Sequence, residues 1–335
     1  MDLIKIDREL NHINMLVKPA YPNPINFEIE KDKVFRDKSY NPQFRYAPYK
    51  STLIRVEKKL LKLKADNSIF GRLLNQRVKE FLAQVNMIKS FGSNTLTANS
   101  TKMFGKPNYE LIMRCADLLK LDYEDTSIRH TTMSAIKKFV DILRQYKLNY
   151  KVIEREMIVN ANFDVAHKIL YINKNKKFTD NEIKRLIIHE IDTHIARSEY
   201  GKKQRYKLFV VGFPNYLITE EGLAVYNEER SGFLTNDILK RYAGRMLAVD
   251  LALNNSFSVV YNYLLEYFNN EEAFVLASRV KRGLSDTSKP GAYTKDYFYL
   301  AGYYRIKDFV RNGGDLHKLY VGKIGTEHVE LLNYI

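Results

Sequence analysis

The chain has 335 residues, 45% of them apolar with 24 Tyr and 18 Phe, which suffices for a large core and excludes a disordered or low-complexity polypeptide. Its one cysteine, Cys115, cannot close an intramolecular disulfide or supply a cysteine-rich metal site, so a bound metal must use histidine and carboxylate ligands. The 54 Lys and Arg against 39 Asp and Glu leave a formal charge of +15, spread along the chain with no basic tail or aromatic RNA-binding signature, so it reads first as solvated surface.

The N-terminal stretch mixes charges into its apolar positions and lacks the apolar run of a signal peptide. No segment approaches the roughly 20 apolar residues of a membrane span, and we expect a cytoplasmic protein with no membrane partner. Residues 1 to about 45 carry Tyr21-Pro22-Asn23-Pro24 and Tyr40-Asn41-Pro42, which predict an extended, irregular lead-in. From about 49 to 148, apolar residues recur at spacings of three and four. Leu53, Val56, Leu60 and Leu61 form one such set, Leu73, Val78, Phe81 and Val85 a second, and Ile136, Phe139, Val140 and Leu143 a third. With Pro107 opening a helix through Leu119, three or four helices are expected here.

Between 149 and 173 the period shortens, and β-branched and aromatic residues flank Asn160 to Asp164, predicting an antiparallel hairpin around a turn. Thr179-Asp180-Asn181-Glu182 is a capping box, followed by a periodic helix to about Tyr200 that Gly201 stops. Helices are expected at about 219–230, 235–268, 270–281 and 294–311. The fold class is mainly α with a small antiparallel β-sheet (α+β). Residues 1–148 are expected to form a lead-in and helical region packed on a core of residues 149–335.

The chemistry lies in Leu186-Ile187-Ile188-His189-Glu190-Ile191-Asp192-Thr193-His194. In the common His-Glu-x-x-His motif, histidines one turn apart bind zinc and the glutamate acts as base. Here the second histidine comes one residue late, and in a regular α-helix a five-residue step turns the two rings roughly 140° apart. Both rings can meet one ion only if the helix widens to i→i+5 hydrogen bonding, so a π-bulge is predicted between His189 and His194. A third ligand is sought in Thr219-Glu220-Glu221-Gly222-Leu223-Ala224, with Thr219 as N-cap, both glutamates in the first turn, and Gly222 with Ala224 allowing close approach to the first helix. There, Glu220 and Glu221 either complement the helix dipole or one of them ligates. The other histidines, His12, His130, His167, His317 and His328, lack ligand spacing, although His167 sits beside the presumed edge strand.

His189-Glu190-x-x-x-His194 followed by Thr-Glu-Glu-Gly-Leu-Ala resembles the QEGLA-motif zinc metallopeptidases, a family related to the microtubule-associated tyrosine carboxypeptidases. Ser39-Tyr40-Asn41-Pro42-Gln43-Phe44, Met103-Phe104-Gly105-Lys106-Pro107 and Gly291-Ala292-Tyr293-Thr294-Lys295-Asp296-x-x-Tyr299-Leu300 also match family landmarks, so the resemblance spans most of the chain. It implies a zincin-like fold binding one zinc ion per chain through His189, His194 and Glu221, with Glu190 as the catalytic carboxylate. The usual Gln before the ligand is Glu220 here. The implied substrate is a peptide or protein C-terminus, an acidic tubulin tail in the animal members.

Tyr299 and Tyr293 are the candidate donors to a developing oxyanion, and Arg282 and Lys295 the candidates to hold a terminal carboxylate. The leading expectation is therefore a zinc carboxypeptidase. The alternatives are an endopeptidase maturing a peptide precursor, and a basic nucleic-acid or protein-binding module with a vestigial metal site; a nucleic-acid partner is not expected.

Overall fold

The computed structural model describes residues 2–17, 22–122, 129–164 and 167–335. It is mainly helical with two small sheets. The chain forms two compact units, Met1–Leu121 with Asn236–Ala301, and Asp122–Thr235 with Gly302–Ile335. This grouping differs from the expected division at 148/149, because the helices after residue 236 fold with the N-terminal ones.

In the first unit, the expected irregular lead-in contains two helices, Leu3–Leu16 and Phe27–Arg36. Asp2 caps the first, and Ile6, Leu10 and Ile13 bury one stripe of it at spacings of four and three. This periodicity decides the helices, while Pro22, Asn23, Pro24, Asn41 and Pro42 lie outside them; Tyr21 is outside the described residues. Beyond them the backbone is irregular as expected, with the Asn26 side chain accepting from Arg45 N and donating to the Gln43 carbonyl. Helices Thr52–Leu60, Ile69–Lys89, Leu96–Phe104 and Tyr109–Leu119 follow. The expected 235–268 helix is two, Asn236–Asn254 and Phe257–Leu264, because Ser256 caps a new start with its hydroxyl. With Asn270–Lys281 they bury Phe44, Phe257, Tyr261, Phe274 and Val280 in one core.

In the second unit, helix Thr132–Gln145 packs on a three-stranded sheet of β2 (Lys151–Arg155), β3 (Ala161–Asp164) and β4 (Ile169–Asn173) in the order β2-β4-β3. β2 runs parallel to β4, and β3 antiparallel to it. The stretch read as a turn is thus strand β3, and the hairpin is a mixed sheet. β3 is the link that returns the chain for the parallel pairing. A second sheet pairs β1 (Arg129–His130) with β5 (Phe178–Thr179). Phe139, Leu170, Ile172, Phe178, Ile183, Ile191 and Ile195 form the core of this unit, which seats the histidine-bearing helix on the sheet.

That helix opens with the predicted capping box. Glu182 N donates to Thr179 Oγ1 and Thr179 N to Glu182 Oε2, both at 3.0 Å. The helix is α over Asp180–Leu186, π over Ile187–Ile195, and α again over Ala196–Lys202, passing through Gly201. Tyr216–Arg230 starts at Asn215, whose φ of 56° is left-handed, so Thr219 lies inside the helix and the two glutamates fall beyond its first turn. Gly222 does not serve the approach to the histidine helix that the sequence suggested. A Cβ on it would lie 2.1 Å from the carbonyl carbon of Gly302, and one on Gly302 would lie 2.1 Å from the Ile218 oxygen. No described helix is long and apolar enough to cross a membrane.

Candidate metal centre

The centre belongs wholly to the second unit. In the π-helical Ile187–Ile195 segment, widening to i→i+5 brings His194 back over His189, and the two ring centroids are 4.9 Å apart at an interplanar angle of 85°. The predicted irregularity is present, at the position where two imidazoles need it. The Thr193 hydroxyl donates to the Ile188 carbonyl at 2.9 Å, and Asn227 Nδ2 donates to that hydroxyl at 2.8 Å and to Tyr320 Oη at 2.7 Å. Side chains therefore brace the widened turn.

The Tyr216–Arg230 helix packs beside this segment and presents Glu221. Glu221 Oε2 lies 3.8 Å from His189 Nε2 and 3.9 Å from His194 Nε2. One ligand-type atom from each of the three residues falls within 4.8 Å of the others. These separations exceed hydrogen bonds and are close to the roughly 3.4 Å between ligands 2.1 Å from one tetrahedral ion. Two imidazole nitrogens and one carboxylate suit a catalytic zinc site, which keeps its fourth position open.

Each imidazole is anchored at its other nitrogen. Glu228 Oε1 lies 2.7 Å from His189 Nδ1 and also accepts from Arg185 Nη1 at 2.9 Å. Glu220 Oε1 lies 3.0 Å from His194 Nδ1, while its second oxygen accepts from Arg197 Nη1. Arg197 is fixed in turn by the carbonyls of Leu319 and Ile324, at 2.9 and 2.6 Å. With Nδ1–H held by a carboxylate, each Nε2 presents its lone pair on the side of Glu221, the arrangement a metal ligand would need.

Glu220 thus faces the far side of His194, and Glu221 faces both Nε2 atoms. Burial opposes the charge of Glu220, but Arg197 and His194 outweigh it and hold the carboxyl down at about 2. Burial likewise opposes charge on His189, yet Glu221, Glu228 and Glu190 push it up to about 9, the signature of a negative field that favours a cation. Glu190 is buried, and its carboxylate makes no hydrogen bond or ion pair among the described residues.

The sequence reading missed Glu228, Arg185, Arg197, Asn227 and Tyr320. Spacing carried part of the signal. Glu228 stands seven residues after Glu221, on the same helix face, and Arg197 stands three after His194.

Arg282, Lys295, Tyr293 and Tyr299 belong to the first unit. Arg282 is fully buried, donates from Nη2 to Asp296 Oδ1 at 2.9 Å, and lies 4.7 Å over the Tyr293 ring. Tyr293 packs edge-on against Phe104, and Lys295 is buried. Tyr299 stacks on Tyr242 with centroids 5.4 Å apart. Elsewhere, His167 pairs with Asp164 at 3.0 Å, and His328 Nδ1 accepts from Gly325 N at 2.9 Å. Cys115 is buried, which pushes its thiol up to about 12 and leaves it inert.

A family model described as "Microtubule-associated tyrosine carboxypeptidase" matches residues 33–335. Among curated relatives, microtubule-associated tyrosine carboxypeptidase 1 of Mus musculus is 32% identical over 153 residues, covering 44% of this chain and 32% of the relative. The protein of the same name from Homo sapiens is 24% identical over 298 residues, covering 84% of this chain and 54% of the relative. The match thus covers 32% to 54% of the length of these relatives.

Proposed function

The chain belongs to the microtubule-associated tyrosine carboxypeptidase family, and from that premise we propose that it is a zinc-dependent carboxypeptidase acting on the C-terminus of a peptide or protein. The observation that carries this reading is the approach of His189, His194 and Glu221 to one point, across a π-helical segment that regular helical geometry would not provide. The names of its relatives make a terminal tyrosine the first side chain to test. The net charge of +15 would steer acidic tails, with an attraction that salt weakens.

His189, His194 and Glu221 would hold the ion. When bound, zinc supplies a Lewis acid that lowers the pKa of a water toward about 7 and polarises a carbonyl. Glu190, the neighbour of the first ligand, takes the proton of the attacking water on its carboxylate and returns it to the departing amine. Glu228 and Glu220 keep the imidazoles in one tautomer and one orientation throughout.

Metal analysis of protein purified without chelator, together with mass spectrometry of peptides bearing free or amidated C-termini, tests this. One zinc per chain and loss of a single terminal residue from the free acids alone are expected. Folded protein without zinc would remove the metallopeptidase, and internal cuts in both peptide sets would make it an endopeptidase.

A further inference from the structure

The first unit holds an arginine, Arg245, whose buried Nε has no hydrogen-bond acceptor among the described residues. On the Asn236–Asn254 helix, Tyr242 and Arg245 stand three residues apart, one helical turn. The Arg245 guanidinium lies 4.5 Å from the ring centre of Tyr299 and 5.0 Å from that of Tyr242, and the two rings stack within 12° of parallel. Such stacking fixes the position of the guanidinium while the N–H groups along its edge stay available. Among the described residues they bond nothing. Nε is buried without an acceptor, and Arg245 makes no hydrogen bond or ion pair among the described residues.

The nearby carboxylate is already engaged, since Asp296 accepts from Arg279 at Oδ2 and from Arg282 at Oδ1. Arg245 therefore carries its charge in a largely buried setting without a hydrogen-bonded carboxylate among the described residues, a cost that an arriving anion would offset. Burial and the charge of Arg279 also lower the pKa of Arg245.

We propose that Arg245, on its platform of Tyr242 and Tyr299, forms an anion site in the first unit that binds a carboxylate through the guanidinium fork. A planar fork matches a carboxylate in bidentate fashion, and one such fork suits a single negative charge better than a phosphate. The choice of a peptide C-terminus as the source of that carboxylate rests on the carboxypeptidase reading; the site itself rests on the first unit alone.

The test titrates the full chain, stripped of metal so that nothing is cut, in a calorimeter. The probes are an acetylated dipeptide ending in a free tyrosine carboxylate, its C-terminal amide, and inorganic phosphate. The free acid should bind about tenfold or more tighter than the amide. Arg245→Gln should erase the preference, and Arg245→Lys, which keeps charge without the fork, should retain only part of it. Circular dichroism checks the fold of both, and Arg245→Lys serves if Arg245→Gln does not fold. Equal affinity for acid and amide, a preference that survives Arg245→Gln, or binding of phosphate alone would overturn the proposal. Zinc content, measured separately on Arg245→Gln, should match that of the parent; a parent without zinc would sink the metallopeptidase and leave the carboxylate result standing.

Discussion

His189 Nδ1 and Glu228 Oε1 lie 2.7 Å apart, and the acceptor sits two helical turns beyond Glu221, so one helix supplies both a candidate ligand and the anchor of another. Replacing Glu228 by Gln keeps the shape but removes the charge that orients His189 and neutralises Arg185. Zinc affinity of Glu228→Gln, read by competition with a chromophoric chelator, should fall about 10-fold to 100-fold. An unchanged affinity would mean that the contact is structural only.

Glu190 has a different assignment and a different signature. Glu190→Gln should bind zinc as the parent does and lose about 10²-fold to 10⁴-fold in peptide hydrolysis. Parallel loss of metal and activity would instead make Glu190 a ligand or a structural residue.

The Gly222 and Gly302 backbones approach so closely that neither position has room for a methyl group. Gly222→Ala must push the Tyr216–Arg230 helix away from Gly302 of the Phe298–Arg311 helix, and about 1–3 kcal/mol of stability should be lost. Thermal unfolding would show this, and a melting temperature within a degree or two of the parent would disprove the close approach.

Acid should weaken the first unit through Asp296. Burial alone would raise its pKa, but Arg279, Arg282 and Arg245 outweigh that and hold it at about 2, against 3.8 in an unfolded chain. As the pH falls, the unfolded state takes up the proton first. The stabilisation is therefore present above pH 3.8 and is lost as the pH falls through about 2, an effect of about 2 kcal/mol. In Asp296→Asn the melting temperature should lose that dependence, and at neutral pH stability should drop by about 3–5 kcal/mol, because Arg279 and Arg282 lose the carboxylate they pair with.

Local rules accounted for the helix that carries the histidines. Its capping box is a contact between residues three apart, and the need for a π-turn follows from counting residues between His189 and His194. The same rules failed at the lead-in, where Pro and Asn drew attention from the buried stripe of Ile6, Leu10 and Ile13. They failed again at residues 160–164, where turn-forming residue types occupy a strand whose partner is β4.

The sequence by itself determined the chemical types available to the centre, two imidazoles and a choice of glutamates, and the unusual turn the rings require. Only the tertiary structure decided where the carboxylates point, with Glu221 turned toward both Nε2 atoms, Glu220 toward His194 Nδ1 and Arg197, and Glu228 toward His189. Periodicity is a property of neighbours along one helix, whereas the direction of a carboxylate is set by charges that arrive from distant parts of the chain.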